Sequence, residues 1–234
     1  MIEAPIRDKA ASIENLPIPQ RKLDSLVGWI GMNTTFAFSG ASGVRILENE
    51  QVANEYIVQI IGERPSIGGG LAAAVSEDGY YITASHVLDE GMPVLLVHSE
   101  EGVLWHERAR EVWRAHDGRD LALLKGRPRK TCFPVSEKIP IPGEVVLAAG
   151  ASGGDSAGRV LRVDNGYILH TAPLRRGDSG GPLVDTDGAL IGVNRAIHVD
   201  PFHGRRNEAA ILDPYEIQRV IRNDRRKIGS VRTL

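Results

Sequence analysis

The chain has 234 residues, 42% hydrophobic and 25% charged, with a formal net charge of −2 at pH 7. That balance suits an ordinary globular chain and gives the whole molecule no electrostatic pull toward nucleic acid or an anionic membrane. The single cysteine, Cys132, excludes an intrachain disulfide, so stability has to come from core burial, and no apolar run is long enough to read as a membrane span.

Residues 1–44 read as an N-terminal extension, punctuated by Pro5, Pro17 and Pro19. Its first twenty residues are polar and carry acids, unlike a signal peptide. The stretch RKLDSLVGWIGMNTTFAFSGASG has a basic start, a semi-apolar middle and a small-residue end, but Asn33, Thr34 and Thr35 interrupt it. It reads either as an export signal or as a poorly packed extension.

From residue 45 the pattern changes to short apolar runs between turn-rich pieces. EYIVQII (55–61), GLAAAV (70–75), YYITAS (80–85), PVLLVH (93–98), VLWHERAREVW (103–113) and DLALLK (120–125) read as strands of a first barrel over 45–130. GRPRKTCFPVSEKIPIPG (126–143) reads as the crossing to a second barrel over 131–213. Its strands are EVVLAAG (144–150), GRVLRVD (158–164), GYILHTA (166–172), GPLVD (181–185), ALIGVNRAI (189–197) and EAAILD (208–213). The fold class is therefore all-β, two six-stranded antiparallel barrels, with an extension before them and a helix after.

DPYEIQRVIRNDRRK carries Asp213 as N-cap, Pro214 at the first helical position and apolar residues at helical spacing. It predicts a helix within 214–234 that packs on the second barrel. Residues 204–234 are rich in Lys and Arg, which reads as a solvated helix face rather than a site for nucleic acid or acidic lipid.

RRGDSGGPLV (175–184) carries the chemistry. A serine hydroxyl attacks only when a base takes its proton, the base needs an orienting acid, and the resulting oxyanion needs amide donors. Ser179 is the candidate nucleophile, and the amides of Gly177 and Ser179 are the candidate oxyanion donors. Gly180 and Gly181 allow close approach of substrate and strand. The stretch also fits G-x-S-x-G, but in α/β-hydrolases the acid and histidine follow the serine. Here His86, in YYITASHVL at a strand mouth, and Asp120, opening DLALLK, both precede it. An aspartate there is partly buried and needs a partner. None of the seven histidines has convincing metal-ligand spacing, so no metal or cofactor is expected.

TASHV, DLALL and GDSGGPLV, in this order, resemble the trypsin/chymotrypsin-like serine peptidases. DLALLK, GALIGVNRAI, AAILDPYEIQRVI and the lack of disulfides are similar to the bacterial HtrA/Deg branch, over roughly residues 50–225. The resemblance implies a chymotrypsin-like double barrel and a serine endopeptidase working through an acyl-enzyme. It makes His86 the general base, Asp120 the orienting acid, Ser179 the nucleophile and Gly177 the oxyanion-hole glycine. It places Leu174, Ile197 and His198 on the primary specificity pocket, with Pro173 at its base. Leu174 and Ile197 then favour aliphatic side chains, His198 leaves room for an acidic one, and the missing basal aspartate speaks against Lys or Arg.

Two departures stand out. Asp178 occupies a position where that branch carries asparagine, and the chain ends after its helix with no room for a PDZ domain, so regulation by one on the same chain is not expected. Asp178 also admits activation by cleavage after Arg45, the new Ile46 amine then meeting the carboxylate; the alternative is that Asp178 pairs with Arg175 or Arg176, or accepts backbone amides. The expected partner is a protein or peptide substrate, with no nucleic acid; no oligomeric state is legible. The resemblance points to the periplasm or the cell exterior. A catalytically silent peptide-binding module and an esterase with the same triad are the competing functions.

Overall fold

The computed structural model describes residues 18–39, 42–43, 66–67, 69–88, 94–100, 103–150, 155–200 and 204–231. Six antiparallel strands close the first barrel: β1 (Thr34–Ser39), β2 (Gly69–Ser76), β3 (Tyr80–Thr83), β4 (Val94–Glu100), β5 (Val103–Arg114) and β6 (Ala122–Lys125), in the order β1-β2-β3-β6-β5-β4. Six more close the second: β7 (Val145–Ala148), β8 (Ser156–Asp164), β9 (Tyr167–His170), β10 (Pro182–Val184), β11 (Leu190–Asp200) and β12 (Gly204–Ile211), in the order β8-β9-β12-β11-β10-β7. This is the expected double barrel. The β8–β9 hairpin turns on Asn165-Gly166, both at positive φ (49° and 82°), the pair of conformations a tight hairpin turn demands.

The start of the first barrel differs from expectation. Its first strand is Thr34–Ser39, inside the residues read as an extension, and it pairs with both β2 and β4. The expected strand at 55–61 lies outside the described residues. The stretch RKLDSLVGWIGMNTTFAFSGASG begins on helix α1 (Gln20–Asn33), which runs directly into β1. The polar residues that interrupt it form the junction: the Asn33 side chain donates to the Trp29 carbonyl at 3.0 Å and the Thr34 hydroxyl to the Ile30 carbonyl at 2.9 Å. The Ile30 carbonyl is among the last four, which a helix end leaves without an intrahelical partner. Leu23, Leu26 and Ile30 of α1 are buried, and Trp29 meets Phe133 edge-on at 4.8 Å.

The crossing segment is ordered by both barrels. The Phe133 amide donates to the Ala74 carbonyl on β2, and the Ser136 amide donates to Leu190 on β11.

Helix α2 (Pro214–Val231) begins as expected, with the Asp213 carboxylate capping the amides of Tyr215 and Glu216. Its placement corrects the expectation. The bonds it makes run to the first barrel: Asp224 accepts from Tyr80 and Arg110, and Arg225 donates to Asp78. Among the described residues no helix is long and apolar enough to cross a membrane.

Candidate active site

β3 ends at Thr83, and a single 3-10 turn, Ser85–Val87, follows it and lifts His86 to the rim of the first barrel. Asp120 stands just before β6, which is hydrogen-bonded to β3, so the two side chains meet although 34 residues separate them. His86 Nδ1 and Asp120 Oδ2 are 2.5 Å apart. The other carboxylate oxygen accepts from the Ser85 hydroxyl at 2.7 Å and the His86 amide at 2.9 Å. Asp120 is largely buried while His86 is half exposed. Burial would raise the Asp120 pKa, but the hydrogen bonds from His86 and Ser85 outweigh it and hold the carboxyl well below the usual carboxylate range.

Ser179 comes from the second barrel. Its turn is closed by the Asp178 amide donating to the Arg175 carbonyl at 3.2 Å, with Gly177 at φ 93°. Positive φ at the third residue marks a type II turn, whose central amide plane is flipped relative to a type I turn. The turn is tied to its surroundings on both sides. The Ser179 carbonyl accepts the Leu71 amide of β2 at 2.7 Å, and the Gly180 amide donates to Asn194 on β11. Gly180, at φ 83°, lies so close that a Cβ there would fall 2.0 Å from the Leu71 carbonyl oxygen. The small residues of β2 admit this approach of the second barrel.

Asp178 is buried, and its carboxylate accepts the Arg175 amide at 2.7 Å. That matches the backbone-amide alternative for this residue; Arg45 and Ile46 lie outside the described residues.

The residue that sequence reasoning missed is Arg195. It sits at a bulge in β11, which re-aims its side chain. Its Nε donates to Asp120 Oδ2 at 3.3 Å and its Nη1 to Glu208 at 2.6 Å, while the guanidinium lies 4.8 Å from the centre of the Tyr167 ring. Its own carbonyl accepts the Ser179 hydroxyl at 3.5 Å. One residue therefore touches both the acid from the first barrel and the serine from the second. An arginine inside a strand carries no sequence signal for this; only the bulge and the barrel seam bring it there.

A cavity of about 240 Å³ adjoins Ser179 and is lined by Leu174, Arg175, Arg176, Arg195, Ala196 and Ile197. Of the residues the resemblance assigns to the specificity pocket, Leu174 and Ile197 are among this lining. Pro173 and His198 do not line this cavity. The Pro173 carbonyl is taken by the Ser156 hydroxyl. His198 is exposed and pairs with Glu208 at 3.3 Å. A larger cavity, about 420 Å³, lies away from these groups between Ile18, Lys22, Lys138 and Asp187.

A family model described as "Trypsin-like peptidase domain" matches residues 70–193. Among curated proteins, the chain is similar to a probable periplasmic serine endoprotease DegP-like of Marinomonas sp. (strain MWYL1), with 32% identity over 154 residues, covering 58% of this chain and 31% of that protein. The chain thus spans about a third of that relative's length. Among solved structures it resembles the serine endoprotease from Yersinia pestis, with TM-score 0.63 and 18% identity, covering 90% of this chain and 69% of the other. It also resembles Deg5, with TM-score 0.60 and 19% identity, covering 88% and 94%. At these identities the structural likeness establishes the fold.

Proposed function

Because the chain belongs to the trypsin-like peptidase domain family, we propose that it is a serine endopeptidase with Ser179 as nucleophile, His86 as general base and Asp120 as orienting acid. The observation that carries this reading is the short His86–Asp120 contact at the barrel seam, with Ser179 joined to the same carboxylate through Arg195. An ionised Asp120 accepts a hydrogen bond from Nδ1–H and leaves the Nε2 lone pair of His86 free to act as base.

In the reaction, the Ser179 hydroxyl turns from the Arg195 carbonyl toward His86. As Oγ bonds to the scissile carbonyl carbon, its proton passes to Nε2. The negative charge moves to the carbonyl oxygen, where the amides of Gly177 and Ser179 are the proposed donors. The type II geometry of the 175–178 turn supports this, since only one of its two peptide orientations can present the Gly177 amide. Collapse breaks the C–N bond, the amine leaves with the proton from Nε2, and water releases the acyl group by the same steps in reverse.

The test is labelling by a fluorophosphonate, beside Ser179→Ala, together with digestion of unfolded casein. The expected result is labelling and cleavage by the native chain and neither by the variant. Labelling without cleavage would favour the esterase reading, and neither by the native chain would favour the silent binding module. That last reading draws on the present partner of the Ser179 hydroxyl, a carbonyl rather than the base.

A further inference from the structure

The cavity beside Ser179 has a wall of one sign. Among the described residues, Arg175, Arg176 and Arg195 line it and no acidic side chain does. Arg195 is neutralised from behind by Asp120 and Glu208, neither of which reaches the cavity. Arg175 and Arg176 are exposed, and among the described residues neither side chain has an ion pair or hydrogen bond. The nearest acid in sequence, Asp178, is buried and turned to the Arg175 amide. Two uncompensated cations therefore flank the nucleophile on a chain whose net charge is −2.

Apart from Ser179, the rest of the described lining is apolar: Leu174, which is 3% exposed, Ala196 and Ile197. A volume of about 240 Å³ suits one side chain. A lysine entering there would meet like charge. An aliphatic side chain would use the walls and leave the cationic rim unmatched. A glutamate uses both, its methylenes on the walls and its carboxylate on the guanidinium forks, whose planar geometry fits a carboxylate with two parallel bonds. Low-dielectric walls strengthen that attraction over its value in open water.

We propose that this cavity selects an acidic side chain, glutamate above all, on the acyl side of the scissile bond, with Arg175 and Arg176 as the specificity-determining residues. The proposal rests on the peptidase reading and names the substrate class of the same site. It moves the source of an acidic preference from His198, which faces Glu208, to the arginines of the nucleophile turn.

The test uses internally quenched peptides that differ only in the residue before the cleaved bond: Glu, Gln, Leu or Lys. The native chain is expected to cleave the Glu peptide with kcat/KM about 10-fold or more above the Gln peptide, the worth of a hydrogen bond to a charged group. The ratio should shrink in 0.5 M salt, as screening weakens charge recognition. In the double variant Arg175→Glu, Arg176→Glu the preference should pass to Lys. Each ratio is taken within one protein, so a general loss of rate does not enter it. If the double variant does not fold, the native ratios and their salt dependence decide. A Gln peptide cut as fast as the Glu peptide, with fluorophosphonate labelling intact, overturns the inference and leaves the peptidase reading standing. A Glu preference found only on the leaving-group side overturns the placement. Absent labelling overturns the peptidase reading and the inference with it.

Discussion

Asp120 accepts hydrogen bonds from His86 Nδ1, the His86 amide, the Ser85 hydroxyl and Arg195, all within 3.3 Å. Asp120→Asn keeps the volume but offers His86 an amide in place of a carboxylate, which favours the wrong tautomer of the base. The expected outcome is a fall in kcat of roughly 10³–10⁴ with the fold intact, read from ester or peptide turnover. His170 carries a different prediction. It is fully buried on β9, and burial pushes its pKa down to about 4, the neighbouring Asn194 side chain working the other way. In the unfolded chain it titrates near 6.5. Between those values the unfolded state holds the extra proton. This stabilising contribution is therefore complete above about pH 6.5 and drains away as pH falls toward 4, by at most about 1.4 kcal/mol per pH unit. Asp120, also held below its ordinary value, loses its contribution only in the more acidic range. Urea midpoints for the native chain should thus drop between pH 6.5 and 4. His170→Gln should flatten that interval and leave the steeper acid limb in place.

At the scale of elements, the turn that carries Ser179 is held by two backbone bonds, Leu71 amide to Ser179 carbonyl and Gly180 amide to Asn194 carbonyl. Gly180→Ala meets both a left-handed φ and the Leu71 carbonyl. The turn must shift, and fluorophosphonate labelling should fall at least 10-fold while far-UV circular dichroism is kept; labelling at the native rate would show that the turn is not seated on β2 as described. Most of these elements were legible in the sequence, because barrel strands here are short alternating runs closed by turn residues such as Asn165-Gly166. α1 and β1 were not. Thr35 and Ala37 are the inward residues of β1, and a threonine and an alanine carry too little hydropathy to mark a core face. Arg195 was illegible for the opposite reason: a charge in a strand reads as a solvent-facing residue until its partners are known.

Over the whole molecule, the two terminal helices reach across the barrels. α1 precedes the first barrel, yet Lys22 pairs with Asp187 at 2.9 Å, and Leu26 and Trp29 lie against Gly188 on a turn of the second. α2 follows the second barrel and docks on the first through Asp224, Arg225 and Glu216, the last paired with Arg119. Tyr80 and Asp224 are both buried, so Asp224→Ala leaves the Tyr80 hydroxyl without its partner. That change should cost about 1–3 kcal/mol in urea unfolding. With both helices in place, calorimetry should show the barrels melting in one transition; a second transition in Asp224→Ala would show that α2 couples them.

The sequence by itself determined the double barrel, the candidate triad His86, Asp120 and Ser179, and the glycine-built turn around the serine. Strand periodicity, turn chemistry and a reactive-serine motif are local patterns, written in neighbouring residues. Tertiary structure alone decided which surfaces the terminal helices cover, that Arg195 spans acid and serine, and that arginines rather than His198 face the cavity. Those facts depend on which residues of distant segments share a seam, and on a bulge that re-aims Arg195.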